Sequence, residues 1–265
     1  MPGMALALAH ELYGDGKPVE IVILHGLLGS SRNWRSAARN LGERYGVAAL
    51  DLRNHGASPH HPSNRYDDLV ADVLNWIDDA GCAPVTLLGH SLGGKVAMAA
   101  ACRAPERVSR LVVVDIAPVD YPPRWEEEFS IMERIDPGRL RNRKPVEEAL
   151  AAVNDDWAFR KFLASNLVRN PGGGGFRWQV NLPALHAALP ELMRTSLKPG
   201  DRYAGPVLAI RGGASDFVTK AGLAAFRDRF SNFVVATIAS AAHRVHAEAP
   251  EAFVSTVTEW LERNA

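Results

Sequence analysis

Only two cysteines, Cys82 and Cys102, occur in the 265 residues. Two thiols make no disulfide framework, so both are read as free thiols in a reducing compartment. Long hydrophobic runs are missing too. Nowhere do about 18 apolar residues follow one another, which excludes a membrane-spanning helix. The N-terminal MPGMALALAH is mildly apolar but lacks a basic region. Leu6 and Leu8, alternating with alanine ahead of His10 and Glu11, are therefore expected in an edge strand rather than a signal peptide. Neither sign of charge is in excess: 30 basic and 30 acidic side chains cancel. No field favours nucleic acid or an anionic membrane surface, and a cytoplasmic protein is the expectation.

What is present is ordinary for a globular chain, 47% apolar and 23% charged. Apolar runs at Glu20–Leu24, Val47–Asp51, Val85–Leu88 and Arg110–Asp115 read as strands. Between them lie helical patterns, among them Tyr66–Asp79, with Leu69, Val70, Val73, Leu74 and Ile77 on one side, and Lys95–Arg103. A further helix, capped by Ser30 or Ser31, carries Trp34, Ala38 and Leu41 and closes at Gly42. Continuous rather than alternating apolar strands point to a parallel sheet covered on both faces, the doubly wound α/β class. The alternation stops at Pro118. From 118 to 203 the chain turns to charge and isolated aromatics, with helical patterns at Arg124–Arg134, Pro145–Val153 and Trp157–Leu167 and a flexible turn at Pro171–Gly175. Strand character returns at Pro206–Arg211 and Phe233–Ile238, and a closing helix follows Pro250. The expected organisation is a core of 1–117 with 204–265, interrupted by a helical lid of 118–203.

Chemistry concentrates at Gly89-His90-Ser91-Leu92-Gly93, a G-x-S-x-G corner between an apolar strand and a helix. Such a turn strains the serine and projects its Oγ above the strand's carboxyl end. A serine hydroxyl needs a base. Of nine histidines, His243 lies after the last strand, at the edge where this fold class holds its ligands. His246 is read as packing near Glu248, and His25 as fixing its own loop. His55, His60 and His61 are read as a solvated loop, and His90 and His186 as structural. No carboxylate or cysteine spacing supports a metal site, and no organic cofactor is required. The acid that would orient the imidazole is Asp115 or Asp216; both end strands on the correct edge. Two backbone N–H groups are needed for an oxyanion: Leu92 follows the serine, and Leu27 is the candidate within His25-Gly26-Leu27-Leu28-Gly29.

These motifs, in the order Ser, Asp, His, resemble the α/β-hydrolase superfamily along nearly the whole chain. More narrowly, LHGLLGSSRNW, DLRNHGASPH, GHSLGGKVAM and VVDIAPVDYP resemble the small carboxylesterases of the YbfF type. The resemblance implies Ser91 as nucleophile, His243 as base, and Leu27 and Leu92 as oxyanion donors. The superfamily's usual acid lies three residues past a glycine after the lid. Counting from Gly212, that position holds Ser215, which cannot serve; the narrower group implies Asp115. Ser215 is left a hydrogen-bonding place in the network. The implied activity is hydrolysis of small-molecule carboxylic esters, with short to medium acyl chains, through an acyl-enzyme. The lid aromatics are expected to shape the pocket or to pack the lid's own core, and Arg124 to be solvated. Carbon–carbon bond hydrolysis or perhydrolysis on the same triad, and a non-catalytic ligand receptor, are the competing readings.

Overall fold

In the computed structural model, residues 5–265 are described. The chain passes through β1 (His10–Tyr13), β2 (Val19–Leu24), α1 (Arg35–Gly42), β3 (Gly46–Leu50) and α2 (Tyr66–Asp79). It continues with β4 (Val85–His90), α3 (Leu92–Arg103) and β5 (Val108–Val114). There it leaves the sheet for α4 (Glu126–Arg134), α5 (Lys144–Leu150), α6 (Trp157–Ala164), a hairpin of β6 (Leu167–Arg169) and β7 (Phe176–Trp178), and α7 (Leu182–Met193). The sheet resumes with β8 (Val207–Gly212), α8 (Lys220–Arg229) and β9 (Phe233–Ile238), and α9 (Val245–Glu248) and α10 (Pro250–Arg263) close the chain.

Among the described residues, seven strands form one sheet in the order β1-β3-β2-β4-β5-β8-β9. Every neighbouring pair is parallel except β1 against β3. The continuous apolar runs resolve into two faces by simple alternation. Val22, Leu24, Leu87, Leu111 and Val113 pack in one core with Val73 and Ile77 of α2 and Val96 of α3. Ile21, Ile23, Leu88, Val112 and Val114 pack in the other with Leu41 of α1 and Phe253 and Val257 of α10. Burial on both faces is why polar residues are scarce in these strands.

Four local differences from the sequence reading have physical causes. The edge strand falls at His10–Tyr13, not at Leu6–Leu8. Leu6 instead gives its N–H to Asp72 at 2.7 Å, and Leu8 is buried in the core. The glycine run is the turn of the β6–β7 hairpin, closed by Asn170 N–H to the Gly175 carbonyl at 3.2 Å. Helix α7 escaped notice because it carries Pro183 in its first turn and Pro190 within it. Helix α8 begins at Thr219, whose hydroxyl accepts the Gly222 N–H at 3.2 Å.

Candidate active site

The carboxyl ends of β2, β4, β5 and β8 lie side by side, so the segments that leave them meet above the sheet. The first is the His25–Gly29 loop. Two buried histidines hold it. His25 donates from Nδ1 to the Gly26 carbonyl at 2.8 Å and accepts the Leu52 N–H on Nε2 at 3.0 Å. His55 donates from Nδ1 to the Arg53 carbonyl at 2.9 Å and accepts the Leu28 N–H on Nε2 at 3.1 Å. His25 thus fixes its loop as expected. His55 is not solvated; it is fully buried and braces the same loop from across the site. His60, by contrast, is exposed and meets the Gln179 carbonyl at 3.0 Å.

At the end of β4 the corner closes on Ser91, which has φ 51° and ψ −117°. A serine in this sparsely populated region is strained, as the G-x-S-x-G turn demands. The glycines on either side are required by close packing. A Cβ on Gly89 would collide with the Gly93 carbonyl, and one on Gly93 with the Leu24 carbonyl of the neighbouring strand. Leu92 starts α3 directly after the serine, placing its N–H in the helix's open first turn.

The third segment leaves β5 at Asp115, which is wholly buried and also has positive φ, 49°. Its carboxylate takes three donors. The Gly212 N–H reaches Oδ1 at 2.9 Å, His243 Nδ1 reaches Oδ2 at 2.8 Å, and the Ser215 hydroxyl makes a short bond to Oδ2. The bond from Nδ1 fixes the imidazole tautomer and leaves Nε2 as the basic nitrogen. The ring is clamped as well. Phe217 stacks on it at 3.7 Å between centroids, and His90 lies at 4.7 Å on a tilt. His90 also donates from Nε2 to the His243 carbonyl at 2.9 Å. Burial depresses the basicity of His90, so it adds no competing cation beside His243.

Asp216 stands apart from this network. Its side chain is 71% exposed and pairs with Arg124 at 2.7 Å. That hydrogen bond holds its carboxyl below the ordinary carboxylate range. Arg124 is not simply solvated: its guanidinium lies 4.5 Å over the Phe217 ring, behind His243. His246 packs on Trp34 at 3.9 Å, nearly parallel, and burial pulls its basicity down to about 3. His186, in α7, bonds Glu133 and Glu126 of α4. Both cysteines are free thiols, and burial pushes Cys102 up to about 12.

Ser91 and His243 line one cavity of about 310 Å³. Trp125, Phe159 and Phe162, from the segment inserted between β5 and β8, line it with them, whereas Phe129 is buried in that segment's core and Trp157 is exposed. The aromatics of this segment thus divide between cavity wall and the segment's own core. Phe217 and Tyr121 are not singled out by the sequence reading, and His90 and His55 have no place in the site there. Tyr121 accepts the Ala117 N–H and donates to the Phe217 carbonyl, both at 2.8 Å, so it ties the Asp115 segment to the ring on His243. Its only signal was its place in the DIAPVDY phrase. Among the described residues no His, Cys, Asp and Glu group is arranged to hold a metal ion. No helix there is long and apolar enough to cross a membrane.

A family model described as alpha/beta hydrolase fold matches residues 20–152. The mouse sn-1-specific diacylglycerol lipase ABHD11 is 36% identical over 267 residues, taking in 97% of this chain and 85% of the mouse protein. The chain belongs to the α/β-hydrolase family. Esterase YbfF of Escherichia coli K12 is 31% identical to this hydrolase, over 91% of this chain and 92% of its own. Among solved structures, a marine microorganism esterase superposes on it with a TM-score of 0.91 at 30% identity, covering 96% of this chain and 99% of the other.

Proposed function

We propose that this α/β-hydrolase is a serine carboxylesterase in which Ser91, His243 and Asp115 act as one catalytic unit. The observation that carries the reading is the buried Asp115–His243 bond of 2.8 Å, with that imidazole and the strained Ser91 facing one cavity. In this reading His243 Nε2 takes the proton as Ser91 Oγ attacks the ester carbonyl, and Asp115 stabilises the imidazolium. Negative charge developing on the carbonyl oxygen is received by the Leu92 and Leu27 N–H groups. Leu27 is favoured over Leu28 because the Leu28 N–H is already engaged by His55. The imidazolium then protonates the departing alcohol, and water, activated by the same ring, releases the acid. No metal or organic cofactor enters these steps. Residues 118–203 act as the lid over a core of 1–117 with 204–265, and their aromatics supply the apolar wall of the pocket.

The names of the relatives, a lipase and two esterases, agree with ester hydrolysis. The test is turnover of p-nitrophenyl acetate by wild type and Ser91→Ala. The variant is expected to fold normally, by circular dichroism, and to lose at least about a thousandfold in kcat. Full activity in Ser91→Ala refutes the nucleophile.

A further inference from the structure

Ser91 stands between two unequal spaces. The cavity of about 310 Å³ carries His243, Arg244, His246, Trp125, Phe159 and Phe162. On the other side is a crevice of about 20 Å³, walled by Leu92, Ile116, Tyr121, Leu192, Met193 and Phe217. Ser91, Leu27 and Trp125 line both spaces, but His243 lines only the larger.

Chemistry assigns the two sides. The imidazolium must deliver its proton to the alcohol oxygen, so the alcohol portion lies where His243 is, in the larger cavity. The carbonyl oxygen is directed to the Leu27 and Leu92 amides. What remains for the acyl carbon chain is the crevice beyond Leu92. A space of about 20 Å³ holds roughly one water-sized group. Its back wall is pinned through the main chain. Lys95 Nζ donates to the Leu192 and Met193 carbonyls at 3.0 Å each. Tyr66 donates to Leu192 at 2.7 Å, and the Tyr121 N–H to Met193 at 2.8 Å. A wall held at so many points does not recede cheaply for a longer chain.

We propose that this hydrolase is selective for small acyl groups, acetyl to propionyl, carried on bulky apolar alcohols, with Met193 as the residue that closes the acyl crevice. The inference rests on Ser91 and His243 acting as described above. It places the aromatic surface of Phe159 and Phe162 against the alcohol, not the acyl chain, with Trp125 as the partition between the two spaces.

Two isomeric esters of equal composition, hexyl acetate and methyl heptanoate, read this orientation directly. Wild type is expected to favour hexyl acetate in kcat/KM by at least about tenfold, the scale of a few misplaced methylenes. Met193→Ala is expected to narrow the ratio by gaining on methyl heptanoate. The wild-type ratio decides even if that variant folds poorly. Equal or inverted preference in wild type overturns this inference alone, and a ratio unchanged in well-folded Met193→Ala overturns Met193 as the wall. No turnover of either isomer or of p-nitrophenyl acetate overturns the esterase reading and this inference with it.

Discussion

Two aspartates, both left open as the acid by their strand-end positions in the sequence, have opposite surroundings in the fold. Asp115 is buried, accepts three hydrogen bonds and touches His243. Asp216 is exposed and bound to Arg124. Asp115→Asn is therefore expected to lower kcat by about a thousandfold to ten-thousandfold, because an amide cannot hold the imidazole in its working tautomer. Asp216→Asn removes an exposed ion pair of small energetic weight and is expected to change kcat by about threefold at most. Steady-state kinetics on p-nitrophenyl acetate compare the two; a larger loss in Asp216→Asn would reverse the assignment. Ser91 and His243 stand out in the sequence as candidates because a strained corner and a late loop histidine leave local signatures, and the fold places both on one cavity. The sequence could not separate the aspartates by spacing alone, since what differs is burial and partners brought from β8 and the His243 loop. His55 was hidden for the same reason: nothing near it in the chain reveals that its Nε2 receives an amide from Leu28.

At the scale of elements, one buried side chain binds the end of α7 to α3 through several carbonyls. Lys95 Nζ donates to the Leu192, Met193 and Arg194 carbonyls, the last at 2.7 Å, where a helix C-terminus favours positive charge. Burial draws the Lys95 amine down to about 7, with Asp120 pulling the other way. Lys95→Met keeps much of the stem and removes the donor. The Leu192 and Met193 carbonyls retain Tyr66 and the Tyr121 N–H, so the Arg194 carbonyl loses most. The expected loss is about 1–2 kcal/mol in urea denaturation, less than for stripping one partner from a buried ion pair. Unchanged or increased stability would show that the desolvation of the amine outweighs its bonds. This junction was invisible in the sequence, where Lys95 reads as an ordinary helix residue and α7 is interrupted by proline. The core strands were legible because burial on two faces writes itself as unbroken apolar runs.

Across the whole molecule, burial lowers the basicity of His25, His55, His90 and His246, with His55 and His246 near about 3. The unfolded chain takes up protons at these positions near the ordinary histidine value of about 6.5, and the fold refuses them. Their contribution is thus fully present above about pH 6.5 and is lost as pH falls toward the folded values. Protonation at Nε2 of His25 or His55 would also break the amide bond each accepts from Leu52 or Leu28. Unfolding free energy is expected to drop steadily from about pH 6.5 to 4, and His55→Gln to flatten that slope by about 1.4 kcal/mol per pH unit. An identical slope in the variant would mean that His55 is protonated in the folded state.

The account as a whole rests on a hydroxyl made reactive by an imidazole that is distant in sequence and lines the same cavity. Intact-protein mass spectrometry after treatment with a fluorophosphonate tests this most directly. One adduct per chain is expected, on the peptide that carries Ser91, with labelling lost in His243→Ala. Labelling at another residue, or equal labelling of Ser91 without His243, would contradict it.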